Sequence, residues 1–386
     1  RIMYDLIRVG RLNKKKVLIL ILIILAIILT IVFSILYKRS SKVRSFFDNN
    51  IFRKNITENT LPKLDIESSY CYSFNNHVVV LSRNVLTFYN ESANKTSSLD
   101  IDISEPIFES AGKYLCIAEK NGKNVYLING KDIVWQKSVE GNISQISLNK
   151  NGYVVIAIAD TTYKNICKVY SDTGAELFTS FLSKSYIIDS AISNDNKYIA
   201  IAETNFSGIS IQSSVKIISI DKTLQNSADT IEYNYVAPID DFIISIDYCN
   251  SNVLICLYDN HISVVKNNTT EEISNFNTSN ILFADTNNKI IQIEKKKTGA
   301  FSSEFELQII DPSTLDKKTY TLEKEPKSME VYGNVIAINY GSEVLFINNS
   351  GWLIKDYTSY QEVQSVVLSN NVAGIVYKNK IEFLGL

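Results

Sequence analysis

The sequence predicts an all-β fold, a β-propeller of eight blades with seven as the alternative, preceded by one transmembrane α-helix. Three observations predict it. One uninterrupted apolar run lies near the N-terminus, and a unit of two strands around a tight turn recurs along the rest of the 386 residues. Valine and isoleucine are abundant and the chain has only 5 prolines, a composition that suits strands.

The apolar run extends from Val17 to Tyr37 and contains no charged residue. A hydrocarbon core about 30 Å thick needs about 20 apolar helical residues to cross it. We therefore predict that residues 17–37 span a lipid bilayer once. A cleaved signal peptide is the weaker interpretation, because the run is longer than a usual h-region and no A-x-A-like site follows it.

Basic residues flank both ends of this run. Six precede it and four follow it, from Lys38 to Arg44. The side richer in Lys and Arg is usually cytoplasmic, so we expect a cytoplasmic N-terminus and an extracytoplasmic domain at the cell membrane. The reverse orientation is the alternative. The predicted organisation is a short basic tail (residues 1–16), the helix (17–37), a stalk or linker (38–59) and the propeller (60–386).

The repeat consists of a short strand, a turn rich in Asn and Gly, and a second strand that is apolar on both faces. Asn and Gly tolerate the positive φ that tight hairpin turns require. The turns are marked by Asn76, Gly112, Gly152, Asn196, Asn252, Asn288, Asn334 and Asn371. Their mean spacing is about 42 residues, and further strands follow the second one, which is typical of four-stranded propeller blades.

The last repeat has only three strands before the chain ends at Leu386. An unpaired strand edge is a hazard for a soluble sheet, so we predict that the segment Thr60–Ser68 supplies the fourth strand and closes the ring. A β-sandwich or a β-solenoid is the other interpretation of the repeat. The regular order of turns and strands argues against a sandwich, and the spacing is too long for a solenoid.

Three segments carry a resemblance to a known family: KKKVLILILIILAIIL, ISLNKNGYVVIAIAD and SNDNKYIAIAETNFSGISIQSSVKIISID. On these segments the chain resembles an uncharacterised Firmicutes family of single-pass, membrane-anchored β-propeller proteins. The resemblance implies the architecture and the placement at the membrane, and no activity. The units GKDIVWQKSV and SGWLIKDY are also similar to WD40-like and quinoprotein-type repeats.

No catalytic pattern stands out in the sequence. The two histidines, His77 and His261, do not lie at metal-ligand spacing from an acid or a thiol. The 5 cysteines are irregularly spaced and indicate neither a metal site nor a disulfide framework. With a net charge of −2 there is no electrostatic case for a nucleic-acid partner. We therefore expect no enzyme activity, no cofactor and no metal.

Two long connections between second and third strands are the best candidates for a binding site. They are Glu203–Ser214 and Lys295–Glu304, and such loops emerge on one face of a propeller. Binding residues often lie on loops that a rigid scaffold holds. The predicted partner-binding rim comprises Asn205, Phe206, Ile209, Lys296, Lys297 and Phe301.

The sequence thus favours a membrane-tethered propeller that acts as a non-enzymatic protein-interaction scaffold or sensor at the cell envelope. It would contact the bilayer through residues 17–37 and a protein at the membrane surface. The alternative is a propeller that binds an envelope glycan or small ligand in its central channel and possibly hydrolyses it. The acids that could line that channel are Glu109, Asp189, Asp247 and Glu330.

Overall fold

The computed structural model describes residues 14–52, 55–66, 69–250, 253–275, 280–297, 299 and 302–386. The chain divides into two compact units, Arg1–Arg53 and Lys54–Leu386. The first is helical where it is described, and the second is built of strands. Most of the predicted basic tail lies outside the described residues.

The N-terminal unit contains the predicted apolar helix. Helix α1 (Lys14–Arg39) includes a stretch, Leu18–Arg39, with a mean hydropathy of 3.5, long and apolar enough to cross a membrane. Helix α2 (Ser41–Phe47) follows and is continued by a π-helical turn at Asp48–Phe52. Ser40 caps α2 by accepting a hydrogen bond from the Val43 amide at 3.3 Å, as N-cap serines commonly do. The segment predicted as a stalk therefore contains helical structure.

The second unit is a ring of antiparallel sheets. Two short strands come first, β1 (Asn55–Thr57) and β2 (Lys63–Asp65), with a 3-10 turn at Glu58–Thr60 between them. Blades 1 to 4 follow, with strands β3 (Tyr70–Phe74), β4 (His77–Ser82), β5 (Val85–Tyr89), β6 (Lys95–Asp100), β7 (Pro106–Ala111), β8 (Tyr114–Glu119), β9 (Asn124–Asn129), β10 (Asp132–Ser138), β11 (Asn142–Leu148), β12 (Val154–Ala159), β13 (Asn165–Tyr170), β14 (Glu176–Leu182), β15 (Tyr186–Ile192), β16 (Tyr198–Asn205), β17 (Gln212–Ser219) and β18 (Ile231–Val236). Helix α3 (Ile220–Leu224) lies between β17 and β18.

Blades 5 to 8 complete the ring. Their strands are β19 (Ile243–Asn250), β20 (Val253–Tyr258), β21 (His261–Lys266), β22 (Thr269–Asn275), β23 (Ile281–Thr286), β24 (Ile290–Lys297), β25 (Ser303–Ile310), β26 (Lys317–Leu322), β27 (Ser328–Tyr332), β28 (Val335–Asn339), β29 (Glu343–Asn348), β30 (Leu353–Thr358), β31 (Ser365–Leu368), β32 (Val372–Val376) and β33 (Lys380–Gly385). The described strands form eight sheets, each running from the inner to the outer strand as a meander. The predicted eight-bladed propeller is confirmed.

The core lies between blades rather than within one of them. Each buried apolar cluster joins two neighbouring sheets, and the second strands are buried on both faces; β20, for example, is buried at every position. The cluster containing Val78 and Val80 of blade 1 also contains Ile381 and Phe383 of blade 8. This last cluster closes the ring, because it packs the first blade against the last one.

Four of the eight turn markers have the predicted positive φ: Gly112, Gly152, Asn196 and Asn288. Gly112 between β7 and β8 has a φ of +57°, and a Cβ atom there would lie 3.1 Å from the Lys150 carbonyl oxygen. In two further turns the positive φ belongs to the residue before the marker, Asn75 in blade 1 and Gly333 in blade 7. Asn371 has no positive φ, and the marker Asn252 lies outside the described residues.

The N-terminal segment closes the ring as predicted, but in a way that involves two blades. Strand β2 pairs antiparallel with β33 and is the fourth strand of blade 8. Strand β1 pairs in parallel with β30 and adds a fifth strand to blade 7. Propeller structure thus begins at Asn55, five residues before the predicted boundary at residue 60, because Asn55–Thr57 pairs with the edge of blade 7.

Candidate functional site

A polar cavity of about 880 Å³ opens along the axis of the ring and is lined by the inner strands. Glu109, Asp189 and Asp247, which the sequence suggested for the channel, lie in its wall. Glu330 is on the inner strand β27, next to a lining residue. Asp195 and Asp285 also line the cavity, and the sequence analysis missed both. Asp285 lies on the inner strand β23, whose sequence is ILFADT.

The environment of these acids favours their neutral forms. Burial, followed by the negative charges of Asp189 and Asp247, raises the pKa of Glu109 to about 8. Burial raises the pKa of Asp247 to about 7 and that of Asp189 to about 6. Burial and the charge of Asp285 raise the pKa of Glu330 to about 7. At neutral pH the acids of the channel are therefore not all ionised, as expected where like charges share a desolvated site.

Asp189 joins three blades. One carboxylate oxygen, Oδ1, accepts hydrogen bonds from the Ser190 amide at 2.8 Å and from Gln145 Nε2 of blade 3. The other, Oδ2, accepts the Ile246 amide of blade 5 at 2.8 Å. Both oxygens are thus engaged by the fold, which makes Asp189 a structural residue of the channel wall.

Asp247 repeats this arrangement one blade further on. Its carboxylate accepts hydrogen bonds from the backbone amides of Tyr248, its own neighbour, and Asn288 of blade 6, and both lower its pKa against the effect of burial. For Glu109, by contrast, burial and neighbouring charges account for the pKa. Two of the channel acids thus bind neighbouring blades together, while Glu109 presents its side chain to the cavity.

The chemistry available in the channel is limited. Within the part of the chain that the structure describes, no group of three or more His, Cys, Asp or Glu side chains is arranged to hold a metal ion. Tyr332 of blade 7 narrows the cavity, since its hydroxyl accepts hydrogen bonds from the Ser110 side chain of blade 2 and the Asn75 amide of blade 1. The channel is a polar, acidic cavity that could hold a small polar or cationic molecule.

The hairpin between β16 and β17 carries three of the predicted rim residues. The Asn205 side chain shapes the loop, because its Oδ1 accepts the Ser207 amide at 2.9 Å. Phe206 is 47% exposed and lies between the rings of Tyr186 and Phe242, with centroid distances of 6.0 and 6.2 Å. Ile209 is fully exposed at the tip.

The hairpin is held against the connection from blade 4 to blade 5. The Ile211 amide donates to Asp240 Oδ1 at 3.2 Å, and the Asp240 amide donates to the Ile211 carbonyl at 3.1 Å. Ile239 of this connection is 65% exposed, and Val236 at the end of β18 is 53% exposed. We call Phe206, Ile209, Val236 and Ile239 the blade 4 patch. Sequence analysis missed both; for Ile239 the reason is that a connection between blades carries no strand pattern that separates exposed from buried positions.

The hairpin between β24 and β25 of blade 6 differs in character. Lys296 is paired with Glu306 at 2.7 Å and with Glu294 at 3.7 Å, so its charge is compensated. Lys297 is exposed at the end of β24, where it pairs with Ser303. Phe301, the last predicted rim residue, lies outside the described residues. Blade 5 lies between this hairpin and the blade 4 patch in the order of the ring.

These features define an eight-bladed β-propeller with an apolar N-terminal helix, an acidic channel and one apolar rim patch. The sequence profile of the family of unknown function DUF5711 matches residues 48–386, and the chain belongs to that family. No curated protein matches the chain in sequence.

Solved structures with similar folds include WD40 propellers. The C-terminal WD40 domain of Sif2 aligns with a TM-score of 0.56 at 11% identity, covering 84% of this chain and 99% of that one. Sqt1 from Chaetomium thermophilum aligns with a TM-score of 0.52 at 10% identity, covering 84% and 97%. At these identities the likeness concerns the fold.

Proposed function

We propose that the protein is a membrane-tethered propeller that acts as a non-enzymatic interaction scaffold or sensor at the cell envelope. The observation that carries the proposal is the blade 4 patch. It places a fully exposed isoleucine and a half-exposed phenylalanine on a hairpin that hydrogen bonds hold to the ring. Exposed apolar residues grouped on a rigid scaffold are typical of protein-binding surfaces.

The tether is α1, with a cytoplasmic N-terminus and an extracytoplasmic propeller. Its apolar stretch is of spanning length, and it ends in Lys38 and Arg39, residues whose charged ends reach the interface. Basic residues are more numerous before the helix than after it. An anchor of this kind holds the propeller at the membrane surface, where its partner is a membrane or envelope protein.

The absence of an enzymatic role is part of the proposal. Two channel acids, Asp189 and Asp247, have carboxylates engaged by backbone amides of neighbouring blades. A general base or nucleophile needs a free oxygen directed at its substrate. Acids used in this way are better suited to holding the ring together than to hydrolysis.

The test is crosslinking in cells, followed by mass spectrometry, of the tagged full-length chain. The double variant Phe206→Ser/Ile209→Ser removes the apolar tip, and Leu224→Ser is its matched control, because Leu224 is 52% exposed on α3 at the other end of β17. We expect one envelope protein to be captured by wild type and the control and lost by the double variant. Equal capture by all three proteins would refute the patch as the binding site.

A second candidate function is binding of a small cationic or glycan ligand in the channel. The cavity of about 880 Å³ and its raised carboxyl pKa values favour it. Titration calorimetry with a linear polyamine and with envelope glycan fragments tests it, using Glu109→Gln as the variant, since Glu109 faces the cavity. Saturable binding that the variant weakens would support a channel ligand, and no heat of binding with either probe would speak against it.

A further inference from the structure

The N-terminal segment that closes the ring is also the segment through which the membrane helix is connected to it. Residues 55–66 contain β1, the turn at Glu58–Thr60 and β2, and we call them the strap. Because α1 precedes the strap and blade 1 follows it, any pull between the anchor and the ring passes through the strap first. Both of its strands have only three residues.

Two kinds of contact hold the strap. Ile56 and Leu61 pack against the apolar core between blades 7 and 8, and Leu64 and Ile66 pack between blades 8 and 1. Backbone hydrogen bonds add to this at both ends of β2. The Phe383 amide donates to the Pro62 carbonyl and the Ile66 amide donates to the Asn379 carbonyl, each at 2.9 Å.

A polar cluster lies beneath the turn of the strap. Glu58 accepts a hydrogen bond from the Ser359 hydroxyl at 3.0 Å and lies 3.4 Å from the Lys380 ammonium. Lys380 is 2.8 Å from Glu382, whose other carboxylate oxygen accepts the Tyr357 hydroxyl. Glu382 is buried within the ring. Lys380 therefore still has Glu382 as an ion-pair partner when Glu58 moves away. Release of the strap does not leave a buried ammonium unpaired.

The pairing of β2 with β33 determines how the strap responds to load. The pair is antiparallel, with Lys63 opposite Glu382 and Asp65 opposite Lys380. The N-terminal end of β2 consequently lies beside the C-terminal end of β33. A pull between the anchor side and the C-terminus reaches the pairing of β1 with β30 first; within β2 it then loads the Pro62–Phe383 hydrogen bond before the others. Bonds loaded one after another open at lower force than bonds loaded together.

We propose that the strap is a releasable mechanical latch, which detaches from blades 7 and 8 under tension between the membrane anchor and the propeller while the other blades stay folded. The inference rests on the proposed anchoring for its role in the cell. Local opening at lower free energy than global unfolding is common for segments with few contacts. Release uncovers the edges of β30 and β33, where an extended segment of a partner can add by strand pairing.

Force spectroscopy of the full chain in a lipid nanodisc tests the latch. Coupling tags are placed before Asn55 and after Leu386, so the pull reaches the strap without passing through α1 or α2, and the result does not depend on which way α1 spans. We expect a reversible first step of about 40 Å, the contour length of the twelve strap residues, at a lower force than the unfolding of the ring. A single event in which the strap and the ring unfold together would overturn the proposal.

The variant Glu58→Gln assigns the step to the strap. It removes the charge that faces Lys380, and we expect the lifetime of the closed latch at constant force to fall by about fivefold, with the ring step unchanged. Glu232→Gln is the matched control, because Glu232 forms a partly exposed ion pair with Lys222 at 2.9 Å in blade 4, which the strap does not contact. A first step that Glu58→Gln leaves unaltered would also contradict the latch. Failure of either kind leaves capture of a partner by the blade 4 patch untouched.

Discussion

The channel wall and the blade 4 patch use their side chains in opposite ways. In the channel, Asp189 directs both carboxylate oxygens at donors of its own and neighbouring blades. On the rim, Ile209 is fully exposed and supports no other blade. The channel acids lie on the inner strands. The rim residues lie at the tip of the hairpin between β16 and β17, two strands that are longer than most others in the ring.

The comparison distinguishes side chains that stabilise the fold from side chains that lie exposed on its surface. Buried carboxylates carry a desolvation cost, so those that are retained with several amide donors contribute to the junctions between blades. Exposed apolar residues contribute little to stability, and their grouping on one rim is typical of an interaction surface. Substitutions in the two regions should therefore have different consequences, and the predictions below are ordered by their expected effect on stability.

The largest effect is expected for Asp189→Ala. The substitution leaves three donors, the Ser190 and Ile246 amides and Gln145 Nε2, without their acceptor. We expect the free energy of unfolding to fall by about 3 kcal/mol, because each donor that stays buried without a partner costs about 1–3 kcal/mol and water in the channel replaces part of the loss. Thermal and denaturant unfolding of the full chain in detergent measure it.

The control for this prediction is Asp189→Asn. Asparagine keeps one acceptor oxygen at the same place. The free energy of unfolding should therefore fall clearly less for Asp189→Asn than for Asp189→Ala. If both variants were as stable as wild type, the hydrogen bonds of Asp189 would not stabilise the junctions between blades. The channel acids would then not differ from the rim residues in their contribution to stability.

A smaller effect of opposite sign is expected for Glu109→Gln. Burial and neighbouring charges raise the folded-state pKa of Glu109 to about 8, above its ordinary value near 4.5. The folded state thus binds more protons than the unfolded state between about pH 4.5 and pH 8, and stability falls as pH rises through that window. Glu109→Gln removes this decrease in the free energy of unfolding. We expect a gain of about 1 kcal/mol at pH 8, less than full linkage gives because channel water screens the charge.

The measurement is a pair of pH–stability profiles, for wild type and for Glu109→Gln. The two curves should meet near pH 4, where both forms are neutral, and should separate as pH rises. Curves that stay parallel from pH 4 to pH 8 would show that Glu109 ionises in the folded state as freely as in water, and that the channel leaves its carboxylate hydrated.

Much of the propeller could be predicted from sequence because its rules are local. The turn residues Gly112, Asn196 and Asn288 have the positive φ that their types suggested. Strands such as β20 are apolar on both faces, as expected of a strand between two sheets. The closing strand β2 followed from counting strands in the last blade. The turns and the doubly buried strands depend on residues within one repeat, and the closing strand β2 was predicted because the repeat pattern left the last blade one strand short.

The features that could not be predicted depend on distant residues. The parallel pairing of β1 with β30 joins positions 301 residues apart, and no periodicity relates Asn55–Thr57 to blade 7. The partners of Asp189 come from three blades, so the sequence offered the acid but not its role. Lys296 was predicted for the partner-binding rim, yet Glu306 and Glu294 on the same hairpin form ion pairs with it. Exposure of Ile239 likewise depends on how the connection between blades lies against Ile211.

The smallest effect on stability is expected for Ile209→Ser. Ile209 is fully exposed at a hairpin tip, and substitutions at such positions usually change the free energy of unfolding by no more than about 0.5 kcal/mol. The same variant should nevertheless lose much of the partner capture, because the tip provides the most exposed apolar contact of the blade 4 patch. Unfolding and crosslinking are measured on the same preparation, with Leu224→Ser beside it. If Ile209→Ser unfolded the protein as strongly as Asp189→Ala, the hairpin tip would belong to the fold, and the rim would resemble the channel instead of differing from it.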